Sequence, residues 1–174
     1  MAPFTVCEIS IDQIDTRVGE CLVSVWEPGG NPEKASEMER SELKSHREAV
    51  VLIAKNDANQ VVGFRFAHSI PDNGRVVGFV FTPSMLPCVF EDVLYDSNGG
   101  VHPEYRRQGI ARALLHEQHR LAHQRGYKKM ATGVAISLKP MIILNLQEGF
   151  DIIELIEART DEWHTKTMLF LKQL

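Results

Sequence analysis

The sequence has little of what membrane-spanning and secreted proteins need. No apolar run approaches the roughly 20 residues with which a helix crosses a bilayer. The first residues lack a basic region followed by an apolar stretch, so we expect neither a membrane protein nor a secretory signal. Only three cysteines are present, an odd number at wide spacing, which argues against a disulfide framework and favours a reducing cytoplasm: Cys7, Cys21 and Cys88.

An excess of charge of one sign is missing as well. The 174 residues carry a net charge of -4, with 19 Lys and Arg against 23 Asp and Glu. Nucleic-acid binding needs clustered cations that neutralise phosphates, so we expect no such partner. The apolar share of 44% is that of an ordinary globular protein. With no polar linker and no internal repeat, the length predicts a single domain over residues 1–174, acting as a monomer or homodimer.

The periodicity of the apolar residues predicts strands alternating with helices. Strands are predicted at 4–9, 49–54, 61–67, 93–101, 129–136, 150–157 and 163–171, with a short one at 76–81. Helices are predicted at 11–25, 33–47, 110–122 and 140–148. The helix at 33–47 is mostly polar, which indicates a lid on the surface rather than an element of the core. This order indicates an α/β fold with helices on both faces of a sheet.

The segment that carries chemistry joins the predicted strand ending at Val101 to the helix beginning at Ile110. It holds two small residues, Gly109 and Ala111, at the helix entry. The first turn of a helix leaves backbone N–H groups without partners at the positive end of the dipole, and small residues let an anion approach them. Three arginines add positive charge there: Arg106, Arg107 and Arg112. The turn favours a phosphate or pyrophosphate, the alternative being a helix start whose arginines are merely solvated.

Two better-known phosphate loops are excluded, because the chain has neither Gly-Lys-Ser/Thr nor Gly-x-Gly-x-x-Gly at this turn. The pattern Val-x-Pro-Glu-Tyr-Arg-Arg-x-Gly-Ile-Ala-Arg-x-Leu-Leu, which starts at Val101, instead resembles the acyl-CoA signature of the GNAT superfamily of N-acetyltransferases. The signature Arg/Gln-x-x-Gly-x-Gly/Ala maps onto Arg106, Gly109 and Ala111. The later Gly-Phe pair at 149–150 resembles the next family element in order and spacing.

The resemblance implies both a fold and an activity. The fold would be a GNAT-like mixed, mostly antiparallel sheet of six to seven strands, splayed at its centre, with helices on both faces. The activity would be transfer of an acetyl group from acetyl-CoA, the co-substrate, to a small-molecule or peptide amine, without a metal. The residues implied in coenzyme binding are Val101, whose strand backbone would pair with pantetheine, Arg106, Arg107, Gln108, Gly109, Ala111, Arg112 and Asn145.

The chain departs from the family where a proton donor is usual. Many relatives have a tyrosine four residues before the glycine of the Gly-Phe pair, and it protonates the departing thiolate; this chain has Asn145. An amide can donate a hydrogen bond but cannot act as an acid. Relatives also use a carboxylate on the strand before the signature as the base. We predict Asp96 for that role, with Glu91 and Asp92 as alternatives and Tyr95 as a neighbouring competitor.

Other groups have a functional and a structural interpretation. His116, His119 and His123 share a helix face, which is better explained as solvated than as a metal site. Cys88 is a weaker candidate for an acyl-carrying nucleophile, since no paired histidine is evident. Two tryptophans could line an acceptor pocket or cap the core: Trp26 and Trp163. Four glutamates near the predicted lid would favour a cationic amine, or are ordinary surface charges: Glu27, Glu33, Glu37 and Glu39.

Two other functions stay open at the level of sequence. The missing tyrosine and the lack of an obvious base are compatible with a non-catalytic acyl-CoA-binding or regulatory module on the same fold. An acetyltransferase that acts on protein N-termini or lysines would need an extended acceptor groove, which a sequence does not reveal.

Overall fold

The structure is a computed structural model that describes residues 3–76, 79–82, 85–86, 89–159 and 164–174. The strands in these ranges are β1 (Phe4–Glu8), β2 (Ala49–Asn56), β3 (Val61–Ser69), β4 (Arg75–Val76), β5 (Phe79–Val80), β6 (Val93–Val101), β7 (Lys129–Ala135), β8 (Asp151–Arg159) and β9 (His164–Gln173). The α-helices are α1 (Thr16–Trp26), α2 (Pro32–Lys44), α3 (Ile110–Gln124) and α4 (Lys139–Gln147). No helix of the described ranges is long and apolar enough to cross a membrane.

Seven of the strands form one sheet in the order β1-β2-β3-β6-β7-β9-β8. Strands β6 and β7 pair in parallel, whereas β1 with β2, β2 with β3, β7 with β9 and β9 with β8 pair antiparallel. The predicted mixed, mostly antiparallel sheet is therefore confirmed. In place of one strand at 76–81, β4 and β5 pair with each other in a separate two-stranded sheet.

The chain forms two compact units. Unit 1 comprises Met1–His68 and Asn98–Leu121. Its first helix begins later than the apolar periodicity predicts, because Ile11–Gln13 forms a 3₁₀ turn and the Asp15 side chain then caps α1. The Asp15 carboxylate accepts hydrogen bonds from the backbone N–H of Arg17 at 3.0 Å and of Val18 at 3.4 Å. Such a cap satisfies N–H groups that the first helical turn leaves unpaired.

Alternate residues of β3 serve the two faces of the sheet in unit 1. Phe64 and Phe66 belong to the hydrophobic cluster that also contains buried residues of α1 and α2. On the opposite face a Cβ at Gly63 would lie 2.9 Å from the Ile110 side chain, and the buried Arg65 donates to the Gln118 side chain of α3 at 2.9 Å. Helices therefore cover both faces of this part of the sheet, as the period of two along a strand dictates.

Helix α2 is more than a surface lid, and that prediction is wrong. Leu43 is fully buried in the same cluster as the α1 side chains, and Ser36 is 2% exposed. The start of α2 also lies directly on α1. A Cβ at Gly19 would come 1.9 Å from the Pro32 carbonyl oxygen, so only glycine permits this backbone-to-backbone contact. The polar residues of α2 lie mostly on its exposed face, while its other face packs into the core.

Unit 2 comprises Ser69–Ser97 and Ala122–Leu174. Its buried cluster includes Phe81, Tyr95, Ala131 and Leu169. The parallel ladder pairs Val93–Asp96 with residues 129–132, and its last pair is Asp96 with Thr132. The ladder is thus four residues long.

Candidate functional site

The turn between β6 and α3 has an unusual backbone. After β6 ends at Val101, a 3₁₀ turn follows, and then Arg107 and Gly109 adopt left-handed φ angles of 65° and 85°. For a residue with a Cβ such a φ costs roughly 1–2 kcal/mol, so Arg107 stores strain that the surrounding structure must hold. A non-glycine residue held in this region is a frequent feature of ligand-binding turns.

Hydrogen bonds within unit 1 hold the first part of this turn. The backbone N–H of His102 donates to the Val62 carbonyl at 3.0 Å, and the Arg106 Nε donates to the Val101 carbonyl at 3.2 Å. The Asn56 side chain donates to the Tyr105 hydroxyl at 3.0 Å. The conformation of the turn is therefore fixed by β3 and by the β2–β3 hairpin rather than by the turn alone.

The space beside Gly109 is open. A Cβ built there meets no protein atom within 4 Å, although the adjoining Ile110 is buried. The first intrahelical bond of α3 runs from the Ala113 N–H to the Gly109 carbonyl at 3.0 Å, so the N–H groups of the residues in between have no intrahelical acceptor. Arg106, Arg107 and Arg112 are exposed around this point. Backbone donors, open space and positive charge thus coincide at one turn.

Asp96, the predicted base, lies on β6 in unit 2 and is 6% exposed. Its carbonyl accepts a hydrogen bond from the Thr132 hydroxyl at 3.0 Å, which anchors the backbone of Asp96 at the end of the parallel ladder. The side chain is independent of that anchor, so its carboxylate can be changed without removing the bond.

The competing residues on the same strand and before it have other environments. Tyr95 packs into the hydrophobic cluster of unit 2, with its ring edge-to-face with Phe81 at 5.6 Å. Burial, and then the Asp96 charge, raise the pKa of the Tyr95 hydroxyl far above its ordinary value, which makes proton exchange by it unfavourable. Asp92 pairs with Lys128 at 2.9 Å, and Glu91 is exposed.

Asn145, in unit 2, is fully buried near the end of α4. Its backbone carbonyl accepts from the Phe150 N–H at 3.0 Å. Among the residues that the structure describes, neither polar atom of its side chain has a hydrogen-bond partner. An unpaired buried amide costs about 1–3 kcal/mol, so the packing of the described residues does not account for this side chain.

The remaining predicted residues are dispersed. His116 and His123 are exposed, and the metal-capable group in the described ranges is not on α3 but is formed by Glu42, His46 and His68. Trp26 is 48% exposed, so it does not simply cap the core. Cys88 and Trp163 lie outside the described residues.

The sequence interpretation missed two features of unit 1. The Trp26 indole N–H donates to the Asn98 side-chain oxygen at 3.0 Å, and the Asn98 amide donates to the Glu39 carboxylate. The imidazole rings of His46 and His68 stack at 3.5 Å. Glu42 in α2 and His46, which follows the end of that helix, are four positions apart, and this spacing was a visible signal. No sequence pattern indicates that His68 of β3 lies beside them.

Comparisons with a family model and with solved structures both point to the same acetyltransferase family. A sequence model of the acetyltransferase (GNAT) family matches residues 19–144. No curated protein sequence matches the chain significantly.

Several solved structures share the fold at low sequence identity. The ribosomal-protein-S18-alanine N-acetyltransferase of Escherichia coli superposes with a TM-score of 0.70 at 14% identity, over 98% of this chain and 94% of that one. An N-acetyltransferase of Staphylococcus aureus superposes with a TM-score of 0.69 at 14% identity, over 99% of both chains. A phosphinothricin acetyltransferase of Sinorhizobium meliloti, solved in complex with AcCoA, superposes with a TM-score of 0.71 at 16% identity, over 98% of this chain and 88% of that one.

Proposed function

The chain belongs to the GNAT acetyltransferase family, and on this premise we propose that it transfers an acetyl group from acetyl-CoA directly to the nitrogen of an amine. The observation that carries the proposal is the turn before α3. There Arg107 and Gly109 have positive φ, and the space beside Gly109 is open. The structural neighbour in complex with AcCoA supports the choice of co-substrate.

The turn fits the pyrophosphate of the coenzyme. A Cβ at position 109 would fill the space that a phosphate needs, and this position is glycine. The N–H groups at the start of α3 would donate to the phosphate oxygens, because they lack intrahelical acceptors and lie at the positive end of the helix dipole. The exposed arginines around the turn and Gln108 would complete the binding residues, and the backbone near Val101 would pair with pantetheine.

The reaction needs one base for the amine and one hydrogen-bond donor for the departing thiolate. The neutral amine attacks the thioester carbonyl carbon, the C–N bond forms as the C–S bond breaks, and CoA leaves as the thiolate. The amine must be neutral to attack, so its ammonium form first gives one proton to a carboxylate, which we assign to Asp96; the second nitrogen proton passes to water as the amide forms. A partly desolvated carboxylate on a rigid strand can act as a base, and it contributes by holding the acceptor in place as well as by accepting the proton.

Asn145 would donate a hydrogen bond to the coenzyme near its sulfur. The supporting observation is that its side-chain amide is fully buried and has no partner in the described part of the chain. A bound thiolate would accept one N–H and so relieve the cost of the unpaired donor. A thiolate is an adequate leaving group, so a hydrogen bond can replace the acid that many relatives have at this position.

Replacing Asn145 by alanine is expected to lower turnover about tenfold, because one hydrogen bond of roughly 1.4 kcal/mol is lost. Steady-state kinetics with thiol detection measure the change. Leu146→Ala is the matched control, since its side chain is on the same helix and 48% exposed. A loss of several thousandfold in Asn145→Ala would show that this residue does far more than donate one hydrogen bond.

The decisive test of the proposed function is a screen of amines for acetyl-CoA-dependent thiol release. The panel should contain small amines, peptides with free N-termini and peptides with lysine, since all three acceptor types remain candidates. A second candidate function is a non-catalytic acyl-CoA-binding module, which the asparagine at position 145 favours. If the protein binds acetyl-CoA tightly but releases no thiol with any amine, the non-catalytic module becomes the proposed function.

A further inference from the structure

A carboxylate on α2 is held in an unusual environment within unit 1. The Asn98 side chain of β6 donates its amide N–H to Glu39. The direction of this bond is fixed by Trp26 of α1, whose indole N–H donates to the Asn98 oxygen at 3.0 Å. Because the oxygen of Asn98 is occupied, its NH₂ group must face Glu39. Three elements thus position one carboxylate.

Within the described ranges, no cation acts on this carboxylate. The groups that act on it are the neutral amide of Asn98 and, unfavourably, the charge of Glu42. Burial raises the pKa of Glu39, with the Glu42 charge adding to the effect. Two cations of α2 act on another carboxylate, since Lys44 pairs with Asp12 at 2.6 Å and Arg40 acts on the same aspartate.

Glu39 is half-buried. Burying an unpaired carboxylate costs free energy, and carboxylates with a perturbed pKa are frequent at functional sites, where a ligand can supply the missing charge. An organic ammonium group is a better match than a metal ion. The neighbouring Glu42, His46 and His68 have ligand atoms within 4.8 Å of one another. However, Glu39 is not part of that group, and the two imidazoles stack on each other at 3.5 Å with an interplanar angle of 15°.

We propose that Glu39, oriented by Asn98 and Trp26, binds the ammonium group of the acceptor, so that the acceptors are alkylamines that carry a positive charge at neutral pH. The inference rests on the proposed acetyltransferase activity and names its acceptor class. The ammonium ion binds at Glu39, gives one proton to the general base, and attacks the thioester as the neutral amine. Arylamines, which are neutral at pH 7, gain nothing from this carboxylate.

The binding test uses calorimetric titration of methylamine, butylamine and benzylamine at pH 7 into the full chain with CoA present. We expect Glu39→Gln to weaken the binding of these ions by about tenfold or more, the effect of losing a charge-assisted hydrogen bond. Glu37→Gln, an exposed carboxylate on the same helix, is the matched control and should leave affinity within about twofold. If the wild-type protein binds none of the three ions, the assignment is overturned.

The kinetic test compares benzylamine with aniline as acceptors. Glu39→Gln should raise KM about tenfold for benzylamine and leave the KM for aniline unchanged. The two proposals fail differently. Thiol release from benzylamine with an unchanged KM in Glu39→Gln overturns the role of Glu39 alone. Ammonium binding that Glu39→Gln abolishes, in a protein that releases no thiol with any amine, overturns the enzymatic function and leaves the cation site.

Stability gives a third readout, which needs no ligand. Because burial raises the pKa of Glu39 in the folded protein, the folded state holds this proton more tightly than the unfolded state, and stability falls as the pH rises through the raised pKa. Glu39→Gln removes that loss, so its Tm should exceed that of the wild type at pH 7, and by less at pH 4. A Glu39→Gln protein less stable than the wild type at pH 7 would mean that the carboxylate is compensated without a ligand, and would overturn the proposal.

Discussion

Gly109→Val is expected to abolish the binding of acetyl-CoA. The substitution puts a branched side chain where no protein atom lies within 4 Å, which is the space that the pyrophosphate would occupy. Losing two charge-assisted hydrogen bonds of about 1.5–3 kcal/mol each corresponds to a loss of affinity of roughly 100-fold or more. Isothermal titration of acetyl-CoA into the purified variant measures the effect directly.

The control for this variant must separate backbone strain from lost contact. Gly126 has the same φ of 85° and equally open space, but it follows the other end of α3. Gly126→Val should therefore suffer a similar loss of stability from the left-handed φ and keep wild-type affinity for acetyl-CoA. A folded Gly109→Val protein that binds acetyl-CoA as the wild type does would rule out pyrophosphate binding at this turn.

Asp96→Asn is expected to lower turnover by roughly a hundredfold or more at neutral pH, the usual contribution of a general base. The change keeps the shape of the side chain and removes the proton acceptor. The Thr132 hydroxyl bonds to the backbone carbonyl of Asp96, so that contact survives. Most of the loss should be recovered at high pH, where the amine is already neutral. Turnover measured from neutral to alkaline pH, with affinity for acetyl-CoA as a second readout, checks both expectations.

Glu91→Gln serves as the control, since Glu91 is an exposed carboxylate shortly before the same strand. It should leave turnover unchanged across the pH range. If Asp96→Asn has wild-type turnover at every pH, Asp96 is not the base, and Glu91 and Asp92 become the next candidates to test.

The elements around the turn could be predicted from sequence because their signals are local. Strand β6 has the predicted bounds of Val93–Val101, and α3 begins at the predicted Ile110. Three sequence signals predict these elements: alternation along a strand, a proline-containing turn and small residues at a helix start. Each signal lies within a few positions of the strand, turn or helix that it predicts. The left-handed φ at Gly109 follows the same logic, since glycine adopts it without strain.

The environment of Glu39 could not be predicted, because it depends on contacts between distant residues. Its partner Asn98 is 59 positions away, and nothing in the sequence distinguishes Glu39 from the exposed Glu37. The error about α2 has the same origin. Leu43 is one apolar residue in a polar segment, and its complete burial depends on side chains of α1 and β3 that only tertiary structure brings to it.

The contact of Gly19 with Pro32 has a consequence for engineering acceptor preference. Since the backbones of α1 and α2 touch there, a side chain at position 19 would push the start of α2, the helix that carries Glu39, away from α1. Mutant libraries that aim to change the accepted amine should therefore hold Gly19 constant and diversify outward-facing positions of α2 such as Glu37 and Met38.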